Sequence, residues 1–328
     1  MVMIRKPNPV LNEMPPHVMD LIVEMGGVEE RHKLRKVSKA LESHIDSMSV
    51  DMNELAIWIH DADICYDYIC PDTRYMVKYQ DHPDGCTVRK EEPENDYDDV
   101  EEDPRKLIRG ESFWKIAAQD LSIFLRNPKL KITTFKVTMN RSVFSDLFFE
   151  YLSENHRKST LPCRYFVIRN DGPDGDLVPI FSHLSPAHLE GIHFEKMDPK
   201  RPITEMVKMR QWRRARWLDV DDIEHMMDLE HFKHFRLVKI GVDELTVEQF
   251  QRIFEHFSTS PRNHMRRCAI RFEKLDVESL KPLLETDVLK FEPRERIRFS
   301  REFENPISKT RFSVTVCHGG LNFSQENG

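Results

Sequence analysis

The chain has 328 residues, 39% hydrophobic and 32% charged, with a formal net charge of −7, which suits two domains or one long repeat array. Abundant charge of both signs under a negative balance argues against a general nucleic-acid or membrane-surface field. No apolar run approaches the ~20 residues of a membrane helix, and the first residues hold no apolar secretory core.

Residues 1–12 are expected to form a disordered leader, followed by a small helical module over 13–48. Pro15 and Pro16 suit a first helical turn, where a missing N–H is harmless. Val18, Met19, Leu21, Ile22, Val23 and Met25 make the next segment apolar on more than one face, more than a single packed core accounts for. Gly26 and Gly27 stop that helix. Leu34, Val37, Leu41 and Ile45 then recur as the stripe of one second helix. The surplus apolar face asks for a partner.

A linking β segment is expected over 49–90. Leu55, Ile57 and Ile59 alternate, then Tyr75, Val77 and Tyr79, then Cys86 and Val88. Pro71-Asp72 and Pro83-Asp84-Gly85 break the runs, so short antiparallel strands are predicted. Residues 91–105 form an acidic loop. Its Glu91–Asp103 stretch is self-repelling and buries nothing, and it lacks the Gly and spaced Glu of a calcium loop.

From residue 106 to 328 the pattern is a repeat. An apolar triplet spaced φ-x-x-φ-x-φ occurs at Ile132/Phe135/Val137, Cys163/Phe166/Ile168, Leu189/Ile192/Phe194, Ala215/Leu218/Val220, Phe235/Val238/Ile240 and Met265/Cys268/Ile270. Helical stripes lie between: Val143, Leu147, Phe148, Tyr151 and Leu152; Leu177, Ile180, Phe181 and Leu184; Val247, Phe250, Ile253, Phe254 and Phe257, with Thr246 as N-cap; and Val277, Leu280, Leu283 and Leu284. Strand–helix units of this length characterise leucine-rich-repeat solenoids, in which each unit buries its apolar face against its neighbours. Asn140 stands at the Asn position of such a repeat; the later units lack it, so an irregular array is expected. A doubly wound α/β domain would also alternate strands and helices, but no Gly-rich phosphate turn is present. The fold class is therefore α+β or α/β: a small N-terminal helical module, then an irregular leucine-rich-repeat-like strand–helix array. After it, Phe312, Val314 and Val316 alternate, and Gly319-Gly320 turns into Leu321 and Phe323.

The segment Met14–Asp46 resembles an F-box. The likeness rests on Met14-Pro15 in place of Leu-Pro, on Val18, Met19 and Ile22, and on LRKVSKALESHID (34–46) as the closing helix. Behind it, FWKIAAQDLSIFLRNPKLKITTF (113–135), LSPAHLEGIHF (184–194), ITEMVKMRQWRRARWLDV (203–220) and HFKHFRLVKIGVDELTVEQFQRIFEHF (231–257) are similar to the FTH domain of a large nematode-expanded F-box family. The resemblance implies a non-catalytic substrate receptor. Its F-box would bind a Skp-type adaptor of a cullin ubiquitin ligase, and its FTH region a protein target. For the Skp contact it points to Met14, Pro15, Val18, Met19, Ile22, Leu34, Val37 and Leu41. For the target, strand residues between the apolar ones should face outward: Lys136, Thr138, His193, Glu195, Asp219, Lys239, Gly241 and Arg271. The alternative is a protein- or RNA-binding scaffold outside any ligase.

Other chemistry is thinly written. MRQWRRARW (209–217) interleaves Arg and Trp, as nucleic-acid sites do, but reads better as a helix end before a strand, with Trp212 or Trp217 wedged between them. His225, His231 and His234 lack H-E-x-x-H spacing. Cys65, Cys70 and Cys86 with His60 or His82 match no common zinc pattern, and no C-x-x-C pair exists, so free thiols in cytosol or nucleus are expected. No phosphate loop or nucleophile elbow appears. No cofactor, metal or enzyme activity is expected.

Overall fold

The computed structural model describes residues 14–25, 27–91, 105–125, 127, 129–139, 143–155, 160–170, 177–195, 204–223, 229–260, 264–275, 297–317 and 319–325. The expected leader, most of the acidic loop, Asn140, His225 and the stripe from Val277 to Leu284 lie outside them.

Three helices open the described chain: α1 (Pro16–Met25), α2 (Gly27–Arg35) and α3 (Lys39–Ser47). The single second helix expected from Leu34, Val37, Leu41 and Ile45 is broken in two. The Ser38 hydroxyl accepts from the Leu41 N–H at 3.2 Å and caps a new helix. Leu41 and Ile45 are buried, whereas Val37 falls in the break and is 65% exposed.

The rest is built on one sheet of 14 strands. In chain order come β1 (Val50–Ile59), β2 (Asp63–Ile69), β3 (Arg74–His82), β4 (Gly85–Glu91), β5 (Lys106–Arg109), α4 (Phe113–Leu125), β6 (Leu130–Met139), α5 (Val143–Asn155), β7 (Cys163–Asn170), α6 (Leu177–Ser182) and β8 (Gly191–Glu195). Then follow α7 (Arg210–Arg214), β9 (Trp217–Ile223), β10 (Leu237–Leu245), α8 (Val247–Thr259), β11 (Arg267–Leu275), β12 (Ile297–Glu304), β13 (Arg311–Cys317) and β14 (Gly320–Gln325). The centre is a parallel run in the order β1-β6-β7-β8-β9-β10-β11, flanked by the antiparallel series β2-β3-β4-β5 at one end and β14-β13-β12 at the other. The parallel run never reverses direction along the sheet, and that reversal is what defines a doubly wound domain.

All six triplets are buried, and their second and third members stand in register. Phe135, Phe166, Ile192, Leu218, Val238 and Cys268 form one row; Val137, Ile168, Phe194, Val220, Ile240 and Ile270 form the next. A seventh triplet, Met52/Leu55/Ile57, extends both rows, with Leu55 opposite Phe135 and Ile57 opposite Val137. The expected linking segment is thus not a bridge. Its first strand begins the parallel run, and only β2–β5 form the antiparallel series. At the far end Phe323 and Leu321 continue the rows opposite Cys268 and Ile270.

The helices cover this apolar face. Phe166 meets Phe181 of α6 and Phe194 meets Trp212 of α7, while Phe250 and Phe257 of α8 pack on Phe323. A capping box starts α8: the Thr246 side chain accepts from the Gln249 N–H, and the Gln249 side chain accepts from the Thr246 N–H. With the helices on one face, the other face of the parallel run is left open. The sheet ends are protected differently. The edge strand β5 is short and mostly exposed, with Lys and Arg at its ends, and the edge strand β12 carries Arg301, Glu302 and Glu304; short length and charge both discourage pairing with another chain.

Candidate functional site

Two surfaces draw on the residues that the sequence singled out. The first is the N-terminal helical module. It is anchored to the sheet domain through Arg35, whose guanidinium makes a bidentate pair with Asp46 at 2.7 and 2.8 Å and donates to the Ile123 carbonyl of α4 at 3.0 Å. Asn127 donates to the Met48 carbonyl, and Lys36 pairs with Asp120 at 3.4 Å. Met19, Val23, Leu41 and Ile45 are buried outside the main core. Met19 and Leu41, expected at the Skp contact, are therefore interior, where a partner cannot touch them unless the helices open. Met14, Val18, Ile22 and Leu34 are partly exposed, and Pro15 and Val37 are exposed. Leu21, not among the expected contacts, is 56% exposed on α1.

The second surface is the open face of the parallel run. Alternation along a strand puts residues two apart on one face, and the registers line these residues into three rows. The first row is Thr134, Tyr165, Gly191, Trp217, Leu237 and Arg267. The second is Lys136, Val167, His193, Asp219, Lys239 and Ala269. Thr138, Arg169 and Glu195 continue as the third, with Gly241 and Arg271 paired further along. Six of the eight residues expected from the sequence fall in the second and third rows, so the fold brings these together; Gly241 and Arg271 pair with each other where the register between β9 and β10 shifts. The first row, of which Thr134, Tyr165, Trp217 and Leu237 line a groove, lies outside the residues expected from the sequence.

Charge in the second row is internally matched. Lys136 pairs with Glu195 at 3.2 Å and Lys239 with Asp219 at 2.8 Å. Asp219 is 5% exposed, and its Oδ1 has no hydrogen-bond partner among the described residues. Burial holds the His193 imidazole below its usual range, reinforced by Lys239 and Lys136 and opposed by Asp219 and Glu195.

The first row opens into a groove of about 780 Å³, lined by Thr134, Tyr165, Val167, Trp217 and Leu237, with Glu190, Arg216, Arg236 and Arg266 along one side. That volume lies within the ~300–1,000 Å³ of ligand sites. Gly191 explains the depth. A Cβ there would lie 2.4 Å from the Trp217 ring and 2.7 Å from the Tyr165 ring. A backbone ladder fixes the side residues. The Glu190 N–H donates to the Arg164 carbonyl, Arg216 to Glu190, Arg236 to Arg216, and Arg266 to Arg236, at 2.7–2.8 Å. Arg164, Glu190, Arg216, Arg236 and Arg266 therefore stand at one level, one residue before or at the entry to successive strands. Arg164 pairs with Glu190 at 2.8 Å and covers the Tyr165 ring. Arg216 and Arg236 make no side-chain ion pair among the described residues.

The MRQWRRARW segment is α7 followed by the start of β9. Trp212 is the wedge: its Nε1–H donates to the His231 carbonyl at 3.0 Å, and its ring meets Phe194, Phe232 and Phe235. Trp217 points instead into the groove. His234 donates to the Trp212 carbonyl at 2.9 Å, and burial lowers its pKa. Cys65, Cys70 and Cys86 are buried and form no disulfide, and burial raises the pKa of Cys70 and Cys86. Among the described residues no group of three His, Cys, Asp or Glu is placed to hold a metal ion, and no helix is long and apolar enough to cross a membrane.

The FTH domain family matches residues 146–287, from α5 through β11 and into the residues beyond it. A stretch of 258 residues is 22% identical to F-box A protein 224 of Caenorhabditis elegans, covering 76% of this chain and 64% of that protein. The match thus spans less than two thirds of the relative's length. No solved structure matches the chain. The domain match and the relative agree: residues 146–287 are similar to the FTH domain, and the chain is similar to an F-box protein.

Proposed function

We propose that this chain is a non-catalytic substrate-recognition adaptor of a Skp–cullin–F-box ubiquitin ligase, working in cytosol or nucleus. The helical module of residues 13–48 docks on a Skp-type protein. The leucine-rich-repeat-like array within 106–328, extended by β1, presents its open face to a protein target. Holding the target beside the conjugating enzyme raises the effective concentration of its lysines, and this is the whole of the adaptor's contribution.

The observation that carries this reading is the exposure of Leu21 and Val37, two large apolar side chains on a module that is already anchored to its own domain by Arg35. On α1 and at its entry, Pro15 is exposed and Val18 and Ile22 are half-buried. Covering one such side chain contributes about 1.5–3 kcal/mol. Co-expression of the full chain with a Skp-type adaptor tests it. The pair should co-purify, and Leu21→Asp with Val37→Asp should abolish co-purification while the thermal melt is kept. A folded double variant that still co-purifies overturns the docking surface. A wild-type chain that never binds the adaptor favours the scaffold reading.

A further inference from the structure

We infer that the groove on the open face binds an acidic, extended peptide segment of a target protein, with a bulky apolar side chain seated at Trp217. This rests on the adaptor reading for its biological use, though the binding itself can be measured without any ligase.

The groove crosses the strands rather than following one. Its lining comes from β6, β7, the entry to β8, β9, β10 and the entry to β11. Five interstrand steps of ~4.8 Å give a length of about 24 Å, which an extended chain of about seven residues fills. The floor is apolar and aromatic: Tyr165, Val167, Trp217 and Leu237. Leu237 is 43% exposed, an apolar side chain that the protein itself leaves uncovered.

Charge selects the occupant. The side residues Arg216, Arg236 and Arg266 stand on consecutive strands at one level, about 4.8 Å apart. The one acid among them, Glu190, is already matched by Arg164. This basic row lies on a chain whose net charge is −7, so it is a local feature against the overall charge. Guanidinium groups in a row meet carboxylates in bidentate geometry. An acidic peptide complements the row, and a basic one is repelled by it.

Geometry disfavours nucleic acid. Base binding needs open aromatic platforms. Tyr165 has Arg164 over its ring and meets Trp217 at 87°, so the two rings present no parallel pair of faces.

The purified full chain is selected against a displayed library of random peptides, about ten residues long to exceed the groove. The enriched pool should carry Asp or Glu beside Phe, Trp or Leu. A synthetic peptide of the enriched sequence should bind Arg216→Glu/Arg236→Glu about tenfold more weakly or worse, and Trp217→Ala should also weaken it. Both arginines are exposed, so the charge-reversed variant should keep the wild-type melt. Enrichment without acidic bias, equal enrichment on the variant, or tighter binding of a single-stranded oligouridine than of any selected peptide each overturns the inference. Co-purification with the Skp-type adaptor is read on the same variant. If that is retained while peptide binding fails in wild type, the groove assignment falls and the adaptor reading stands; the reverse result separates them the other way.

Discussion

Tyr165 and Trp217 meet edge to face, ring centres 5.7 Å apart and planes at 87°, across a strand that contributes only Gly191 between them. The two aromatics belong to strands β7 and β9, which are not neighbours in the sheet. They touch because β8 has no side chain at that level. The contact shapes the groove and ties three strands of the open face.

Gly191→Ala is therefore expected to destabilise the chain by about 1–3 kcal/mol, as overpacking does, because both clashing atoms belong to ring bodies rather than flexible tips. Trp217→Leu in the same chain should recover part of the loss. Denaturant melts of the four chains in this cycle measure the coupling. Additive effects of the two substitutions would refute the contact.

Arg35→Met should loosen the helical module from the sheet domain. The substitution removes the donor to Ile123 and leaves Asp46 without its bidentate partner, a loss of about 1.5–3 kcal/mol for hydrogen bonds to charged groups. Hydrogen exchange should rise across α1–α3 while β6–β10 stay protected. Unchanged exchange in α1–α3 would show that other contacts hold the module.

His234 makes stability depend on pH. Burial lowers its pKa from 6.5, with Arg213 acting in the same direction, against the opposing bond to the Trp212 carbonyl. The folded state thus binds this proton less readily than the unfolded chain. Its contribution is intact above pH 6.5 and is lost progressively as pH falls below that value. His234→Gln keeps a donor for Trp212 and cannot titrate. Urea melts between neutral and mildly acidic pH should show a shallower fall for the variant than for wild type; equal slopes would remove His234 from the account.

Tyr79 sets the opposite limit. Burial, then Asp120, raises its pKa well above 10.0, and its hydroxyl donates to Asp120 at 2.9 Å. The unfolded phenol ionises first, so stability is present below pH 10.0 and declines above it. The tyrosinate absorbance of Tyr79, read as the difference between wild type and Tyr79→Phe, should therefore appear together with unfolding. Tyr79→Phe should be less stable at neutral pH by about 0.5–1.5 kcal/mol. If the tyrosinate absorbance that Tyr79→Phe lacks were seen in the folded wild-type chain near pH 10, the burial of Tyr79 would be contradicted.

Much of the interior was legible because burial writes a period. Ile132, Phe135 and Val137, with their five counterparts, were picked out by spacing alone, and all are buried. Met52, Leu55 and Ile57 carry the same spacing but do not stand out by it. The alternation of Leu55, Ile57 and Ile59 fits a period of two equally well, and β2–β5 and α4 separate that unit from the next. The break at Ser38 was also available, since a Ser before a helical stripe is a cap signal, but the unbroken apolar spacing across it masked the cap.

Spacing of apolar residues is enough to say which side chains turn inward, because water expels them at any position where the backbone period allows it. It also marked the outward positions Lys136, His193, Asp219 and Lys239. The tertiary structure decided which of these residues stand beside each other. Register from β6 to β11 joins residues 20 to 31 positions apart, through connections whose lengths carry no register. Only that pairing set Tyr165 against Trp217 over Gly191 and lined Arg216, Arg236 and Arg266 along one side of a groove.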